Sequence, residues 1–386
     1  MDIKVGNSLF IRDLNQLGIF KSIHKYGPIS RKELADNTGY SAATVTNHVK
    51  TLLKNGYVIE TEKGDSTGGR KPVYLTVNPH KAYIFAVSIE VKEVKLIMFN
   101  LKFSIETKLT FPIVDKNPAG VVQRLLQEID MMLMDKGISI ENVMGIGISV
   151  PGLIDRGKQA LDFAPNLGWR KIAIAEMFRE KYDLPIVIEN EANAAVIGER
   201  EFVYPDINNI VYVSINEGIG CGIIFDGKLY RGASGNAGEF GHIIINSSGP
   251  YCHCGNKGCW ETLASENYIV KTVNKKLDTK MTKEEIYQQG KKGNKQIIDI
   301  LHETGENIGI GLVNIINSLS PAYLILGGNI SSVKDIIYDQ IINVLKDETL
   351  PISFEKTTIK FTKLKDLAVV YGMAQLVYNK SLNLQE

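Results

Sequence analysis

The sequence is poor in cysteine, with four among 386 residues, and three of the four lie within eight positions. It also lacks any apolar run near the roughly 20 residues that a helix needs to cross a bilayer. Its first residues contain no apolar core of an export signal. We therefore expect a protein of the cytoplasm with no membrane partner. Disulfides are rare in that reducing compartment, so the cysteine cluster favours a metal site.

An excess of charge of one sign is absent from the whole chain, whose formal net charge is +1, but not from its parts. Residues 1–80 hold 11 Lys and Arg against 7 Asp and Glu, whereas the remainder holds 33 against 36. The positive excess therefore lies where an anionic partner would bind. A chain of this length exceeds one simple core, which predicts a small domain joined to a larger, two-lobed one.

The first eighty residues have the apolar spacing and the caps of three helices. These helices are predicted over residues 8–26, from the Ser30–Glu33 capping box to Gly39, and from Ser41 to about Lys54. The inner stripe of the third helix is formed by Val45, Val49, Leu52 and Leu53. Two short helices joined by a tight turn with glycine are typical of a helix-turn-helix.

The outward face of the third helix presents small and hydrogen-bonding side chains, which suit entry into the major groove of DNA. The predicted DNA-binding residues of this helix are Ser41, Ala42, Thr44, Thr46, Asn47, His48 and Lys50, with Ala43 on the same face. Bulky residues at these positions would block the groove.

Two strand-like runs, 57–60 and 73–77, follow the third helix and predict a hairpin, or wing. Its tip, Ser66–Pro72, contains flexible glycines beside Arg70 and Lys71, which could contact a phosphate backbone or a narrow minor groove. The alternative is a three-helix module for protein interaction whose polar third helix is merely solvated.

The remaining three hundred residues alternate strand-like runs with longer amphipathic stretches, which predicts an α/β fold. The strands are predicted at 83–89, 94–99, 144–149, 186–188 and 209–215. Between and after them stand side chains of the types that bind sugar hydroxyls, which both donate and accept hydrogen bonds. They are Asn166, Asn190, Glu191, Asn193, Glu239 and His242. Each could instead cap a helix or stand in a loop.

The cysteine cluster has the spacing C-x-C-x4-C over Cys252, Cys254 and Cys259, with His242 ten residues upstream. Three thiolates and one imidazole suit tetrahedral zinc, and four protein ligands leave no position open for water. We therefore predict a structural zinc site that stiffens the loop carrying Glu239 and Glu261. Free buried thiols and a Cys252–Cys259 disulfide are the alternatives.

Together these motifs resemble the ROK family of repressors and sugar kinases over nearly the whole chain. The resemblance is carried by residues 215–231 and 235–242, the cysteine cluster and Trp260-Glu261. Within the family, the Gly-Gly-Arg-Lys-Pro wing and Glu-Asn-Glu-Ala-Asn-Ala at 189–194 look most like the Gram-positive xylose repressor branch.

The resemblance implies a winged helix-turn-helix at 1–78 and an α/β, actin-like or ribonuclease H-like ROK domain at 79–386. The small lobe would comprise about 79–188 and the C-terminal helix, and the large lobe about 189–368. A homodimer or dimer of dimers would bind a palindromic operator and release it on binding a monosaccharide, D-xylose. Sugar would contact Asn166, Asn190, Glu191, Glu239, His242 and Glu261, and zinc would be held by His242, Cys252, Cys254 and Cys259.

Departures from the family's kinases predict that the chain is not an enzyme. Where kinases have Asp-x-Gly-Gly-Thr, this chain has residues 88–92, Ser-Ile-Glu-Val-Lys, without glycine amides to approach a phosphate. Where they have Gly-Thr-Gly, it has Asn216-Glu217-Gly218, and Glu191 stands at the position of the catalytic aspartate. The alternatives are an ATP-dependent hexose kinase with a fused DNA-binding arm and a regulator that answers a partner protein.

Overall fold

The computed structural model describes residues 14–62 and 73–382. Internal contacts divide the chain into two compact units. The first comprises Met1–Glu189 with Met373–Glu386, and the second comprises Asn190–Gly372. None of the described helices is both long and apolar enough to cross a membrane.

The N-terminal part of the first unit is a small helical bundle with a three-stranded sheet of order β1-β3-β2. Its elements are α1 (Leu14–Tyr26), β1 (Ile29–Ser30), α2 (Arg31–Thr38), α3 (Ala42–Lys54), β2 (Val58–Glu62) and β3 (Val73–Val77). The antiparallel β2–β3 hairpin was predicted, whereas the two-residue β1, which pairs with β3 through Ile29 and Leu75, was not. The predicted wing tip with Arg70 and Lys71, and the part of the first helix before Leu14, lie outside the described residues.

The caps predicted for α2 and α3 are confirmed. The Ser30 hydroxyl accepts the amide hydrogen of Glu33, whose carboxylate accepts that of Ser30, and Gly39 ends α2 in the left-handed conformation with φ 71°. Ser41 caps α3 by accepting from the Thr44 amide at 3.2 Å. The α3 stripe is buried at Val45, Val49 and Leu52 and half-buried at Leu53. Caps and stripe thus fix the position of α3 on the bundle.

The rest of the first unit is built on a five-stranded sheet of order β11-β7-β4-β5-β6 and a small three-stranded one. Its strands are β4 (Tyr83–Ile89), β5 (Glu93–Asn100), β6 (Ile105–Pro112), β7 (Val143–Val150), β8 (Leu153–Asp155), β9 (Ala160–Ala164), β10 (Trp169–Ile172) and β11 (Ile186–Asn190). The helices are α4 (Pro118–Lys136) and α5 (Ile174–Arg179). Strand β4 is fully buried because it lies at the centre of the larger sheet, parallel to β7 and antiparallel to β5.

The second unit is built on a five-stranded sheet of order β14-β13-β12-β15-β16. The strands are β12 (Ile210–Ile215), β13 (Ile219–Phe225), β14 (Lys228–Leu229), β15 (Tyr323–Gly327) and β16 (Thr358–Phe361). The helices are α6 (Glu191–Phe202), α7 (Glu261–Ala264), α8 (Glu266–Leu277), α9 (Lys283–Lys291), α10 (Lys295–Leu319), α11 (Lys334–Glu348) and α12 (Pro351–Lys356). The last helix, α13 (Ala368–Ser381), begins in the second unit and continues in the first.

The two large sheets have the same strand order, which shows a duplicated architecture and agrees with the predicted α/β domain. In each, the first strand is central, antiparallel to the second, and parallel to a later strand. The five strands predicted from sequence all exist, with ends that differ by at most two residues.

Glycines in β7 let α13 pack closely on the first sheet. A Cβ atom on Gly147 would lie 2.8 Å from the carbonyl oxygen of Met373, and one on Gly145 would lie 3.0 Å from Val377 Cγ1. Since real Cβ atoms essentially never come closer than 3.0 Å to another heavy atom, the C-terminal helix requires glycine at position 147. At position 145 the severe clash would be with the Pro185 carbonyl oxygen, at 2.5 Å.

Candidate functional site

The α3 surface predicted to meet DNA is accessible. Ser41, Ala42, Thr46, Asn47 and Lys50 are exposed, whereas Thr44 and His48 are half-buried. Three hydroxyls on this surface already have local partners, because Ser41 caps the helix, the Thr44 hydroxyl lies 2.9 Å from the Ser41 hydroxyl, and the Thr46 hydroxyl donates to the Ala42 carbonyl at 2.8 Å. Asn47 and Lys50 therefore present the amide and the ammonium best suited to a base edge or a phosphate.

The four predicted metal ligands come together in the second unit. The Nδ1 or Nε2 atom of His242 and the Sγ atoms of Cys252, Cys254 and Cys259 all lie within 4.8 Å of one another. His242 ends a short 3-10 turn, Phe240–His242, and the cysteines lie on the loop before α7. That loop is held by two isolated β-bridges, Ile244 with Cys259 and Tyr251 with Lys257.

The spacing of these atoms fits a tetrahedral zinc ion. The Sγ atoms of Cys254 and Cys259 are 3.6 Å apart, and Cys252 Sγ lies 3.6 Å from His242 Nδ1. Zinc bonds of about 2.3 Å to sulfur and about 2.0 Å to nitrogen at tetrahedral angles give a sulfur–sulfur distance of about 3.8 Å and a sulfur–nitrogen distance of about 3.5 Å. Burial raises the pKa of Cys252 and of Cys259, whereas the Asn256 amide and the two neighbouring thiols lower the pKa of Cys254 against the effect of burial. The fit to zinc therefore rests on the spacing of the four ligand atoms.

A carboxylate and imidazole cluster adjoins the cysteines. Glu261, at the start of α7 and only 8% exposed, has Oε1 3.5 Å from His242 Nδ1, 3.5 Å from His253 Nε2 and 3.0 Å from the Cys252 thiol, which donates to it. Glu239 Oε2 lies 3.9 Å from His242 Nε2. The structure therefore brings together Glu239, His242 and Glu261, three of the predicted sugar ligands. Sequence reasoning missed His253, although its position between two cysteines was a signal.

The electrostatics of this cluster follow from its carboxylates. Partial burial raises the pKa of Glu239, His242 opposes this, and the charge of Glu261 adds to it. Gly218 makes room for Glu261, because a Cβ there would lie 2.9 Å from Glu261 Oε2. Two carboxylates and an imidazole at these distances can accept from and donate to neighbouring hydroxyls on a small polyol.

The other predicted sugar ligands have separate positions. Asn190 caps α6, and its side-chain oxygen accepts from the amides of Ala192 and Asn193 at 2.8 and 3.5 Å. Glu191 is half-buried in the first turn of the same helix. Asn166 is exposed in the turn between β9 and β10 of the first unit, where its carbonyl accepts from Lys116 Nζ at 2.7 Å. Capping accounts for the Asn190 side chain without a ligand.

A polar network centred on the buried Glu266 joins the turn at residues 216–218 to the turn at residues 327–329 in the second unit, and sequence reasoning did not find it. Asn216 Oδ1 accepts from the Asn329 amide at 2.8 Å, and the Asn216 carbonyl accepts from the Glu266 amide at 2.9 Å. The Glu266 carboxylate, in a residue only 1% exposed, accepts from Lys283, Tyr287 and Asn329 at 3.0 to 3.1 Å.

Lys283 also lies 3.8 Å from Glu217. Burial raises the pKa of Glu266, and Lys283 and Asn329 oppose that shift. The network places two carboxylates beside the Asn216-Glu217-Gly218 turn, where an anionic ligand would meet like charge.

The corresponding turn of the first sheet, between β4 and β5, is tight and polar. The Glu90 amide donates to the Glu93 carbonyl at 2.9 Å, and Lys95 Nζ donates to the Glu90 carboxylate at 2.7 Å. The Glu90 amide hydrogen is thus already used within the turn.

Comparison with known proteins identifies both parts of the chain. A model of the ROK family matches residues 84–380, and a model described as winged helix-turn-helix DNA-binding matches residues 12–59. The chain belongs to the ROK family. This confirms the resemblance predicted from its motifs.

Three known proteins show how similar this ROK protein is to its relatives in sequence and in structure. A xylose repressor of Bacillus spizizenii is 34% identical over 381 residues, which is 98% of this chain and 99% of that protein. The crystal structure of a ROK family transcriptional regulator, a homologue of the Escherichia coli MLC protein, has a TM-score of 0.83 at 25% identity and covers 96% of this chain and 97% of its own. A ROK family glucokinase from Streptomyces griseus has a TM-score of 0.69 at 24% identity over 76% of this chain and 99% of its own, which shows the shared fold alone.

Proposed function

We propose that this ROK protein is a sugar-responsive transcription repressor of the cytoplasm. In this proposal, residues 1–78 bind operator DNA, a homodimer or dimer of dimers reads a palindrome, and a monosaccharide releases it. The observation that carries the proposal is the presence in one chain of an exposed polar α3 face and of the Glu239–His242–Glu261 group. The xylose repressor that is similar over nearly the whole chain supports the same function.

The sugar chemistry rests on the donors and acceptors of the second unit. Glu239 and Glu261 accept hydrogen bonds from hydroxyls, and His242 can donate or accept through Nε2 while Nδ1 faces the cysteines. Asn190 and Glu191, at the start of α6, are the further ligands that we propose in this unit, and Asn166, proposed with them from the sequence, belongs to the first unit. Because sugar must favour one state of the protein to release DNA, its binding energy must differ between the two states by a few kcal/mol.

We assign the metal as zinc, held by His242, Cys252, Cys254 and Cys259. The ion would supply a rigid junction between the loop and the 3-10 turn, with all four positions taken by protein atoms. Its role is structural, since it fixes the His242 ring and the start of α7, where Glu261 lies.

A kinase is the second candidate, and the turns described above weigh against it. Glu90 is paired with Lys95, and Glu217 and Glu266 share Lys283 near the second turn. Phosphates would have to displace these carboxylates or bind beside them, at a like-charge cost. We therefore propose that the chain has no kinase activity.

Xylose is the effector we propose, for a reason that concerns Glu191. The longer glutamate stands where the family's kinases have aspartate, and its added methylene would fill the room that a hexose needs for its C6 hydroxymethyl group. Isothermal titration should therefore show xylose binding more tightly than glucose. Glucose binding much more tightly than xylose would contradict the pentose assignment.

The test of the function is operator binding by fluorescence anisotropy at fixed salt, because phosphate contacts make affinity salt-dependent. The duplex is selected from random-sequence DNA by the protein itself, and xylose, glucose and N-acetylglucosamine are titrated separately. Release by xylose alone supports the proposal. Tight binding that no sugar disturbs would retain the DNA-binding half and refute the sugar response.

Two variants separate the halves of the function. Asn47→Ala should weaken operator binding and leave sugar affinity unchanged, whereas Glu239→Gln should abolish the sugar response and leave operator binding intact. An unchanged sugar response in Glu239→Gln would exclude Glu239 from the sugar site, and a wild-type protein that responds to no sugar would favour a partner protein as effector. In a coupled assay with ATP and hexoses, turnover above about 1 per second, the low end for ordinary enzymes, would favour the kinase.

A further inference from the structure

An aromatic cluster in the first unit ties the DNA-binding bundle to the C-terminal helix. The His24 ring, on the last turn of α1, lies 4.9 Å from the Tyr378 ring of α13 and 5.4 Å from the Phe103 ring, measured between centroids. Phe103 and Tyr378 are 5.5 Å apart. His24 Nε2 donates to the Leu101 carbonyl at 2.8 Å, which fixes the ring plane. We call His24, Phe103 and Tyr378 the aromatic cluster.

The surface that receives His24 is rigid. Phe103 lies in the β5–β6 turn with φ 57°, and the buried Asn100 side chain accepts from the amides of Lys102 and Ser104 at 2.9 and 3.1 Å. The Leu101 amide donates to the Pro79 carbonyl at 2.9 Å, in the segment that follows β3. Phe103 and Tyr378 are only 6% and 4% exposed. A movement of α13 therefore cannot be absorbed by a soft contact at His24.

The other end of α13 touches the helix that begins at two proposed sugar ligands. In the second unit, a Cβ on Gly372 would lie 1.7 Å from the Ala194 carbonyl oxygen, and one on Gly198 would lie 2.1 Å from the Ala368 carbonyl oxygen. Ala194 and Gly198 belong to α6, whose first turn carries Glu191. The backbones of α6 and α13 are therefore in direct contact, with no side chain between them to absorb a displacement.

We propose that α13 carries the sugar signal to the DNA-binding bundle. A shift of α6 caused by sugar passes through the backbone contact at Gly198 and Gly372 to α13, and the Tyr378 ring transmits it to His24 and α1. Tyr378 and His24 are positioning residues that act through these helices and touch neither ligand. This inference rests on the proposed function and names its route of regulation.

The quantity that tests this route is the coupling ratio, the operator Kd at saturating xylose divided by the operator Kd without sugar. Couplings between sites commonly fall between about 5-fold and 150-fold. Tyr378→Leu should reduce the ratio to below about 2-fold. Its operator Kd without sugar and its xylose Kd without DNA should stay within about threefold of the wild-type values, well under the expected coupling. A merely structural role would weaken both affinities instead.

The controls isolate the ring contact. Tyr378→Phe keeps the ring and should keep the ratio, and Tyr338→Leu removes a half-exposed tyrosine ring from α11 and should also keep it. His24→Leu should lower the ratio as Tyr378→Leu does, and the double variant should lower it no further, because both single changes break one contact. His24→Leu also carries the test if Tyr378→Leu does not fold.

Two results would overturn the inference and they are distinguishable. Wild-type coupling ratios in both His24→Leu and Tyr378→Leu would show that the signal takes another path while the sugar response stands. A wild-type protein that binds operator but responds to none of xylose, glucose and N-acetylglucosamine would refute the sugar response itself, and this inference with it.

Discussion

The two five-stranded sheets have the same strand order, yet the turns between their first and second strands differ in environment. At the β4–β5 turn the carboxylate of Glu90 is 39% exposed and pairs with Lys95. At the β12–β13 turn Lys283 pairs with Glu217 and with Glu266, whose side chain is 2% exposed. The two lysines are similarly buried, at 14% and 18% exposed, so the contrast lies in their carboxylate partners and rests on Glu266 of α8.

The burial of an ion pair decides how much its loss would destabilise the protein. An exposed pair gains little, because water and salt screen it and both side chains lose freedom. A buried pair is expensive to form, and removal of one partner leaves the other charge without compensation. The two turns therefore resemble each other in topology only. The ion pairs beside them should make contributions to the free energy of unfolding that differ several-fold.

The largest expected effect is on stability in Lys283→Ala. Glu266 would stay buried with only neutral partners, so the free energy of unfolding should fall by about 3 kcal/mol. Urea denaturation measures it. The matched control is Lys276→Ala, which removes the exposed partner of Glu303 and should cost well under 1 kcal/mol, as surface pairs do. Equal losses in the two variants would contradict the difference in depth.

Removal of the proposed zinc should weaken sugar binding and leave operator binding unchanged. Chelation should lower sugar affinity about tenfold, equivalent to 1.4 kcal/mol, because Glu261 and His242 lose their support. Operator affinity without sugar should not change. Metal analysis should find one zinc per chain in the wild type and in Cys221→Ala, and less in Cys259→Ala. Full zinc content in Cys259→Ala would exclude this ligand set.

The pH dependence of stability should also report on the buried Glu266 carboxylate. The pKa of Glu266 is raised above its ordinary value of 4.5, so the folded protein holds this proton more tightly than the unfolded chain does. Its contribution to the free energy of unfolding should therefore rise as pH falls through the folded-state pKa toward 4.5, and Glu266→Gln should lack this rise. Parallel pH profiles for wild type and variant would disagree with this assignment.

The smallest effect is expected at the first turn. Lys95→Ala should lower the free energy of unfolding by about 0.5 kcal/mol, since Glu90 and Glu93 remain half-exposed and hydrated. Thermal unfolding at low and high salt measures it, and the difference should shrink in high salt. A loss as large as that of Lys283→Ala would remove the contrast between the turns.

Local sequence signals determined much of this protein. The Ser30–Glu33 capping box, the Ser41 cap and the stripe of Val45, Val49 and Leu52 predicted α2 and α3, because caps and helical spacing act within a few residues. The strand at 83–89 was predicted with its observed ends, since its run of apolar residues is buried on both faces. The four-ligand cluster was likewise predicted, as its members lie within eighteen positions of one another.

Only the tertiary structure decided the rest. Strand β1 exists because Ile29 meets Leu75, and the Glu266 network exists because Lys283 and Asn329 arrive from other elements. The contact of His24 with Tyr378 joins residues from opposite ends of the chain. Each of these depends on how distant segments pack, and no short-range propensity encodes such a pairing. The sequence by itself therefore determined which chemical groups are present, and packing decided which of them are buried together and which remain in water.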